Sequence, residues 1–250
     1  MDLLNKLGLG AGNGPSRNVP RTAAAVGGRS RPAATNVAPT GAAHESESHE
    51  STRVSNGLKE LLWNLEGLGR GTLLDMGAAW QTTLGFFIER GFRVSAEDIL
   101  RAWKDFLGKE EASLRESAGA GDTIDRTPSG RAARFLESNL EYSPSSFDAV
   151  LLWDLLDYVE PSMARLTVAR VTELLRQGGV VFALFHSKKP DGFQRYRIAD
   201  SSTLQVVSAP VLCPAQRVYQ NREIQDLFGR YRTMKSFIGR DQLRETLFIK

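Results

Sequence analysis

Two short apolar stretches that end in acid set the first question. Thr72-Leu-Leu-Asp-Met76 runs into the turn Gly77-Ala78-Ala79-Trp80-Gln81, and Phe92-Arg-Val-Ser-Ala-Glu-Asp98 follows one helix later. Strand, tight turn, helix, and a second strand closing on acid is a layout that holds a nucleotide-like cofactor. The turn amides and the helix N-terminus then face an anionic group. Such turns usually carry two or three glycines, because glycine admits positive φ and a close backbone approach. Here Gly77 stands with Ala79 and Gln81 in the other glycine places. A second group of reactive side chains follows two further apolar stretches. Asp154, Asp157 and Tyr158 come after Phe147–Trp153, and His186 comes after Val180–Phe185. Open α/β sheets bind ligands at the carboxyl ends of their strands, and carboxylate and imidazole groups there can exchange protons. Asp154 and His186 are therefore the catalytic candidates. His186 is equally readable as a plain strand-end polar residue.

The elements that must position these residues can be read from periodicity. Ser55 or Asn56 caps a helix over Leu58, Leu61, Leu62, Leu65 and Leu68, which fall at helical spacing. Residues 72–76 and 92–98 are the first two core strands, with a helix over 82–90 between them. A helix runs from about Ile99 to Ser117, and residues 118–130 form a loop. Residues 133–142 contain a third strand, with a helical reading close behind. Residues 147–153 and 180–185 are near-continuous apolar runs, as expected of parallel strands covered on both faces. An amphipathic helix over 161–176 separates them and ends at Gly178-Gly179. Residues 193–208 alternate like two antiparallel strands. A helix over 221–231 and a strand-turn-strand over 233–250 close the chain. Alternation of this kind means a doubly wound α/β sheet.

The rest of the sequence bounds the partners. With 41% hydrophobic and 24% charged residues, the composition is that of a soluble globular protein. No apolar run reaches the ~18 residues of a membrane helix. The single cysteine, Cys213, excludes an internal disulfide and a Cys-rich metal site, reads as structural, and fits a reducing, cytoplasmic setting. The net charge of +3 is misleading, because residues 1–43 carry +4 and residues 44–250 sum to −1. No nucleic-acid partner is expected for the domain. Residues 1–54 hold no Phe, Tyr or Trp and are rich in Gly, Ala, Ser, Pro and Arg, so they read as a disordered tail dispensable for the fold. A short helix at Met1–Leu7 is compatible with that reading. Gly8–Gly14, "GLGAGNG", follows no strand and precedes Pro15, so it reads as linker rather than as a phosphate loop.

Residues 71–250 resemble a class I S-adenosylmethionine-dependent methyltransferase. "LLDMGAAW" resembles the family's first strand and its D-x-G-x-G-x-G turn, and "GFRVSAEDI" its second strand with a terminal acid. "RFLESNLEYSPSSFDAVLLWDLLDYVEP" is similar to its third and fourth strands, and "LLRQGGVVFALF" to the turn into its fifth, with Gln177 where proline is common. "RDQLRETLFIK" resembles the sixth and seventh. The resemblance implies a mostly parallel, seven-stranded Rossmann-like sheet with a C-terminal antiparallel pair, over a domain spanning 55–250. It also implies an inserted hairpin or lid at about 187–220.

The resemblance further implies S-adenosylmethionine as cofactor and a small-molecule acceptor. Asp98, 23 residues after Asp75, would hold the ribose diol, with Glu97 serving if the register slips by one. Asp75, Gly77, Ala79 and Gln81 would shape the turn, and Asn139 would meet the adenine amine unless it is a plain loop residue. Trp80 and Trp153 would border the cofactor or simply close the core, while Trp63 and Trp103 would be remote. A positive φ at Ala79 would cost ~1–3 kcal/mol. Two alternatives stay open: a non-catalytic methyltransferase-like binding module, and a nicotinamide-dependent reductase. The latter lacks a G-x-G-x-x-G turn after the first strand.

Overall fold

The protein is described by a computed structural model covering residues 50–116 and 125–250. The possible helix at Met1–Leu7, the Gly8–Gly14 linker, the rest of the tail to residue 49 and most of the 118–130 loop lie outside the described residues. The principal sheet has six strands: β2 (Thr72–Asp75), β3 (Arg93–Ala96), β4 (Phe147–Trp153), β5 (Leu175–His186), β8 (Thr233–Ile238) and β9 (Leu243–Ile249). Their order is β3-β2-β4-β5-β9-β8. The first four are parallel, and β9 inserts antiparallel between β5 and β8. This is the Rossmann-like arrangement with a terminal antiparallel pair.

Among the described residues the principal sheet has one strand fewer than expected. Residues 133–142 do not add a seventh strand; Pro128–Asn139 form helix α4. The local chemistry explains the correction. Thr127 Oγ1 accepts the Gly130 N–H and Pro128 opens the first turn. Ala132, Phe135 and Leu136 then fall on one buried stripe, a helical spacing rather than a period of two. The other helices stand near their expected places: α1 (Asn56–Leu65), α2 (Gln81–Ile88), α3 (Ile99–Glu116), α5 (Pro161–Leu174) and α6 (Asn221–Leu227).

Alternation along the central strands divides the core. Leu74, Val150, Leu152, Val181 and Phe185 face a layer that includes Trp103, Phe135 and Val168 from α3, α4 and α5. Leu73, Leu151, Phe182, Leu184 and Leu247 face Leu58 and Leu61 of α1 and Phe86 and Phe87 of α2. The latter layer is completed by a small antiparallel sheet, β1-β7-β6, made of β1 (Glu50–Val54), β6 (Gln194–Ile198) and β7 (Thr203–Ser208). The β6–β7 pair is the antiparallel strand pair expected over 193–208. Tyr196, Ile198, Leu204 and Val206 sink from it into this core.

Strand β1 lies within the stretch read as tail, so Glu50–Val54 belong to the folded domain. It pairs with β7 from Glu50↔Val207 to Val54↔Thr203. Arg53 anchors it to the principal sheet, lying 2.9 Å from Glu245 on β9 and 3.1 Å from Asp241. Glu245 is buried and also accepts the Gly57 N–H at 2.5 Å, so it ties the start of α1 to the same ion pair. Removing one partner of a buried pair strands the other charge. Arg53→Ala is expected to destabilise the domain by ~3–5 kcal/mol in urea unfolding. A loss below about 0.5 kcal/mol would show that β1 is a loose appendage.

Candidate functional site

The carboxyl edge of the sheet is organised around Asp75, the last residue of β2. Its Oδ1 accepts the Gly77 N–H at 3.0 Å and the Trp153 indole N–H at 2.6 Å. Burial pushes its carboxyl up to about 6, against the pull of those two hydrogen bonds. Trp153 closes β4 with φ of 51°, a left-handed conformation that strains a bulky residue by ~1–3 kcal/mol. The indole is held there by Asp75, by the Tyr196 ring stacked at 6.2 Å, and by the edge of Phe182 at 6.0 Å. Gly77 serves this packing: a Cβ would come within 2.5 Å of Trp153 Cδ1. The turn after it is relaxed. Among the described residues the non-glycine positive φ values fall at Ser145, Trp153 and Gln242, so Ala79 carries none of the strain that a glycine would relieve. Helix α2 begins at Gln81, with Trp80 at its N-cap.

Asp98 stands just before α3 and does two jobs. Its Oδ1 accepts the Arg101 N–H at 3.2 Å, capping the helix. It also receives the guanidinium of Arg195, whose Nη1 and Nη2 donate to Oδ1 at 3.1 Å each, with Nη2 also 3.0 Å from Oδ2. Glu97 is engaged separately, accepting the Tyr142 hydroxyl at 2.6 Å. Strand β6 thus lies over the strand ends. Arg195 reaches past β3, Tyr196 covers Trp153, and the Ile198 N–H donates to Thr83 Oγ1 of α2 at 3.0 Å.

The space left between these groups is small. A cavity of about 10 Å³ is bounded by Gly77, Ala78, Trp153, Asp154, Arg195 and Tyr196 among others. That is room for about one water, against the ~300–1,000 Å³ of ligand pockets. In this conformation the residues do not admit S-adenosylmethionine. On its wall Asp154 Oδ2 is buried without a hydrogen-bond partner, as are Asp75 Oδ2 and Trp80 Nε1, which do not line it. Of the remaining expected residues, Trp80 lies under the Arg197 guanidinium, 5.1 Å from it, and does not line the cavity. Asn139 ends α4 with its amide donating to the Phe135 carbonyl, and is not brought to the cavity either. Trp63 is exposed and Trp103 stacks on Phe106 in the core.

A second group lies on the other side of Tyr196. His186 ends β5, and Asp157 Oδ2 accepts its backbone N–H at 2.7 Å and sits 2.9 Å from Nδ1. That fixes the tautomer with the proton on Nδ1 and turns Nε2 toward the Tyr196 hydroxyl at 3.4 Å and Asp154 at 4.0 Å. Burial alone would lower the imidazole's basicity; the Asp157 hydrogen bond and the charges of Asp154 and Asp157 outweigh it and raise its pKa. Burial raises Asp154 to about 7. His186 and Tyr196 open onto a groove of about 680 Å³, walled also by Arg53 of β1 and by Gly239–Asp241 of the β8–β9 turn. Arg53 was missed in the sequence because it sits in a stretch without apolar pattern. Among the described residues no group of three or more His, Cys, Asp or Glu could hold a metal ion, and no helix is long and apolar enough to cross a membrane.

No protein-family model matches the sequence, and no curated protein does. Solved structures do. The chain is similar to a 1,6-didemethyltoxoflavin-N1-methyltransferase of Burkholderia thailandensis, solved with bound 1,6-didemethyltoxoflavin and S-adenosylhomocysteine. The identity is 17% over 78% of each chain, with a TM-score of 0.39. It is also similar to S-adenosylmethionine-dependent methyltransferases of Mesorhizobium loti and Methanosarcina mazei. The first is 14% identical over 76% of this chain and 96% of that one, with a TM-score of 0.41. The second is 15% identical over 73% and 93%, with a TM-score of 0.39. Likenesses this distant carry no argument, and the fold rests on the strand order and register given above.

The buried Asp75 makes a pH-dependent prediction. Its folded pKa of about 6 exceeds the ordinary 3.8, so the protonated form favours the fold. Its contribution is fully present below about pH 4 and is lost as the pH rises through about 6. Asp75→Asn keeps the acceptor for Trp153 and cannot ionise. It is expected to be more stable than wild type at pH 8 by up to ~3 kcal/mol, with the difference vanishing below about pH 4. Urea unfolding across that range checks this, and a variant less stable at pH 8 would refute it.

Proposed function

We propose that the domain is an S-adenosylmethionine-dependent methyltransferase acting on a small molecule. The observation that carries this reading is the sheet itself: β9 lies antiparallel between β5 and β8, and Asp75 and Asp98 stand at the ends of adjacent parallel strands. That supports the strand arrangement the sequence resemblance implies, one strand short of its seven, and is compatible with the cofactor role it gives the two acids. The acceptor side would be the groove beyond Tyr196. There Asp157 holds His186 with Nε2 free to take a proton from an acceptor hydroxyl, and Asp154 stands close enough to stabilise the imidazolium that results.

A second reading has its own support. The crevice is filled by Trp153, Tyr196 and Arg195, as a methyltransferase-like binding module without the cofactor would be. A nicotinamide-dependent reductase has no observation in its favour.

Calorimetric titration of the full chain with S-adenosylhomocysteine, and in parallel with a nicotinamide dinucleotide, separates the three. The first reading expects the adenosyl ligand alone to bind. Its affinity should fall ~10–100-fold short of micromolar, because the charge-assisted pair on Asp98 must first be broken. Dinucleotide binding would favour the reductase.

A further inference from the structure

The crevice is closed by the chain's own side chains, and the way it is closed is chemically specific. A ribose diol is held on a carboxylate by two neighbouring O–H donors. Arg195 presents two neighbouring N–H donors to the same kind of acceptor, in the planar fork that matches a carboxylate. With the Arg101 N–H also on Oδ1, that oxygen carries three donors, and Oδ2, which takes one, keeps fewer acceptor sites than the two O–H groups of a diol need. A diol and Arg195 therefore exclude each other at this residue.

Around this pair the open valences point the other way. Asp154 Oδ2, on the cavity wall and 4.0 Å from His186 Nε2, is buried without a hydrogen bond, and so is Asp75 Oδ2, which does not line the cavity. Buried polar atoms are normally satisfied, so these oxygens mark a place where polar ligand atoms belong. The closing side chains are also held from more than one side. Tyr196 stacks on Trp153, the Ile198 N–H is bonded to Thr83, and the hairpin's apolar residues are in the core. The hairpin stays seated, and what can yield is the Arg195 side chain, which is held by its ends on Asp98 and packs over Phe193 at 5.1 Å.

We propose that Arg195 is a tethered competitor for the adenosyl ligand: it occupies Asp98 where a ribose diol would sit, and the ligand binds only by displacing it. This rests on the cofactor reading above and goes beyond it, because it assigns to the inserted hairpin control over that site.

The experiment is calorimetric titration of the full chain with S-adenosylhomocysteine, comparing wild type, Arg195→Ala, Arg195→Lys and Asp98→Asn. Urea unfolding of each variant identifies those that fold. Arg195→Ala is expected to bind on the order of 10- to 100-fold more tightly than wild type. Arg195→Lys, which keeps the charge but loses the fork, should fall between them and serves alone if the alanine variant does not fold. Asp98→Asn, which weakens both competitor and diol, should gain nothing over wild type. Equal affinity for wild type and the Arg195 variants would overturn the competition while leaving the cofactor reading standing. Weaker binding by the Arg195 variants would overturn it too, by making Arg195 a ligand contact. No binding by any folded variant would overturn the cofactor reading itself.

Discussion

The 2.6 Å hydrogen bond from the Trp153 indole to Asp75 is the constraint on which the carboxyl edge depends. It joins the ends of two neighbouring parallel strands through side chains, beside the backbone hydrogen bond from the Met76 N–H to the Leu151 carbonyl. Its demands spread outward. Trp153 must take a left-handed backbone to reach Asp75. Gly77 must lack a Cβ to leave room for the ring. Tyr196 then finds an aromatic face to stack on, which seats β6 over the strand ends. A carboxylate that is buried and costly to ionise is thus the centre from which the turn, the strand end and the hairpin take their positions.

This gives the glycine-poor turn a physical meaning. A turn that wraps a ligand needs backbone freedom at several positions. The turn after β2 instead runs straight into α2 with ordinary dihedrals at Ala78, Ala79 and Gln81. The one glycine that remains answers to Trp153 rather than to an external group. Trp153, 78 residues after Asp75, and Arg195 and Tyr196 of the hairpin provide much of what fills the space, so the surroundings of Asp75 and Asp98 are written mainly in the hairpin and in β4.

How far the sequence disclosed this follows from the range of each interaction. Strands β4 and β5 were legible because burial on both faces leaves unbroken apolar runs. Trp153 and His186 were legible as strand-end residues for the same reason, whereas Asp75 and Asp98 stood out as acids closing short strands on either side of a helix. The helix at Pro128–Asn139 was ambiguous, since its Phe135-Leu136 pair suits either period; the Thr127 cap decides it. Strand β1 was invisible: Glu-Ser-Thr-Arg-Val has no apolar alternation, and its order comes from pairing with β7 and from the Arg53–Glu245 pair. The Arg195–Asp98 pair joins residues 97 apart, so its geometry could not be read from local pattern.

The ion pair that fastens β1 to β9 also sets a schedule. Arg53 emerges early during synthesis, whereas Glu245 and the β7 residues that pair with β1 come nearly 150 or more residues later. At ~5–20 residues per second, that interval lasts on the order of 10 s or more. Until it ends, Leu58 and Leu61 of α1 lack the β9 surface they cover, and the edge of β5 lacks its hydrogen-bonded neighbour. The nascent domain therefore carries a sticky, half-built sheet for most of its translation. Strand β9 acts as a clasp, closing on β5 and on Arg53 of β1 in one late step.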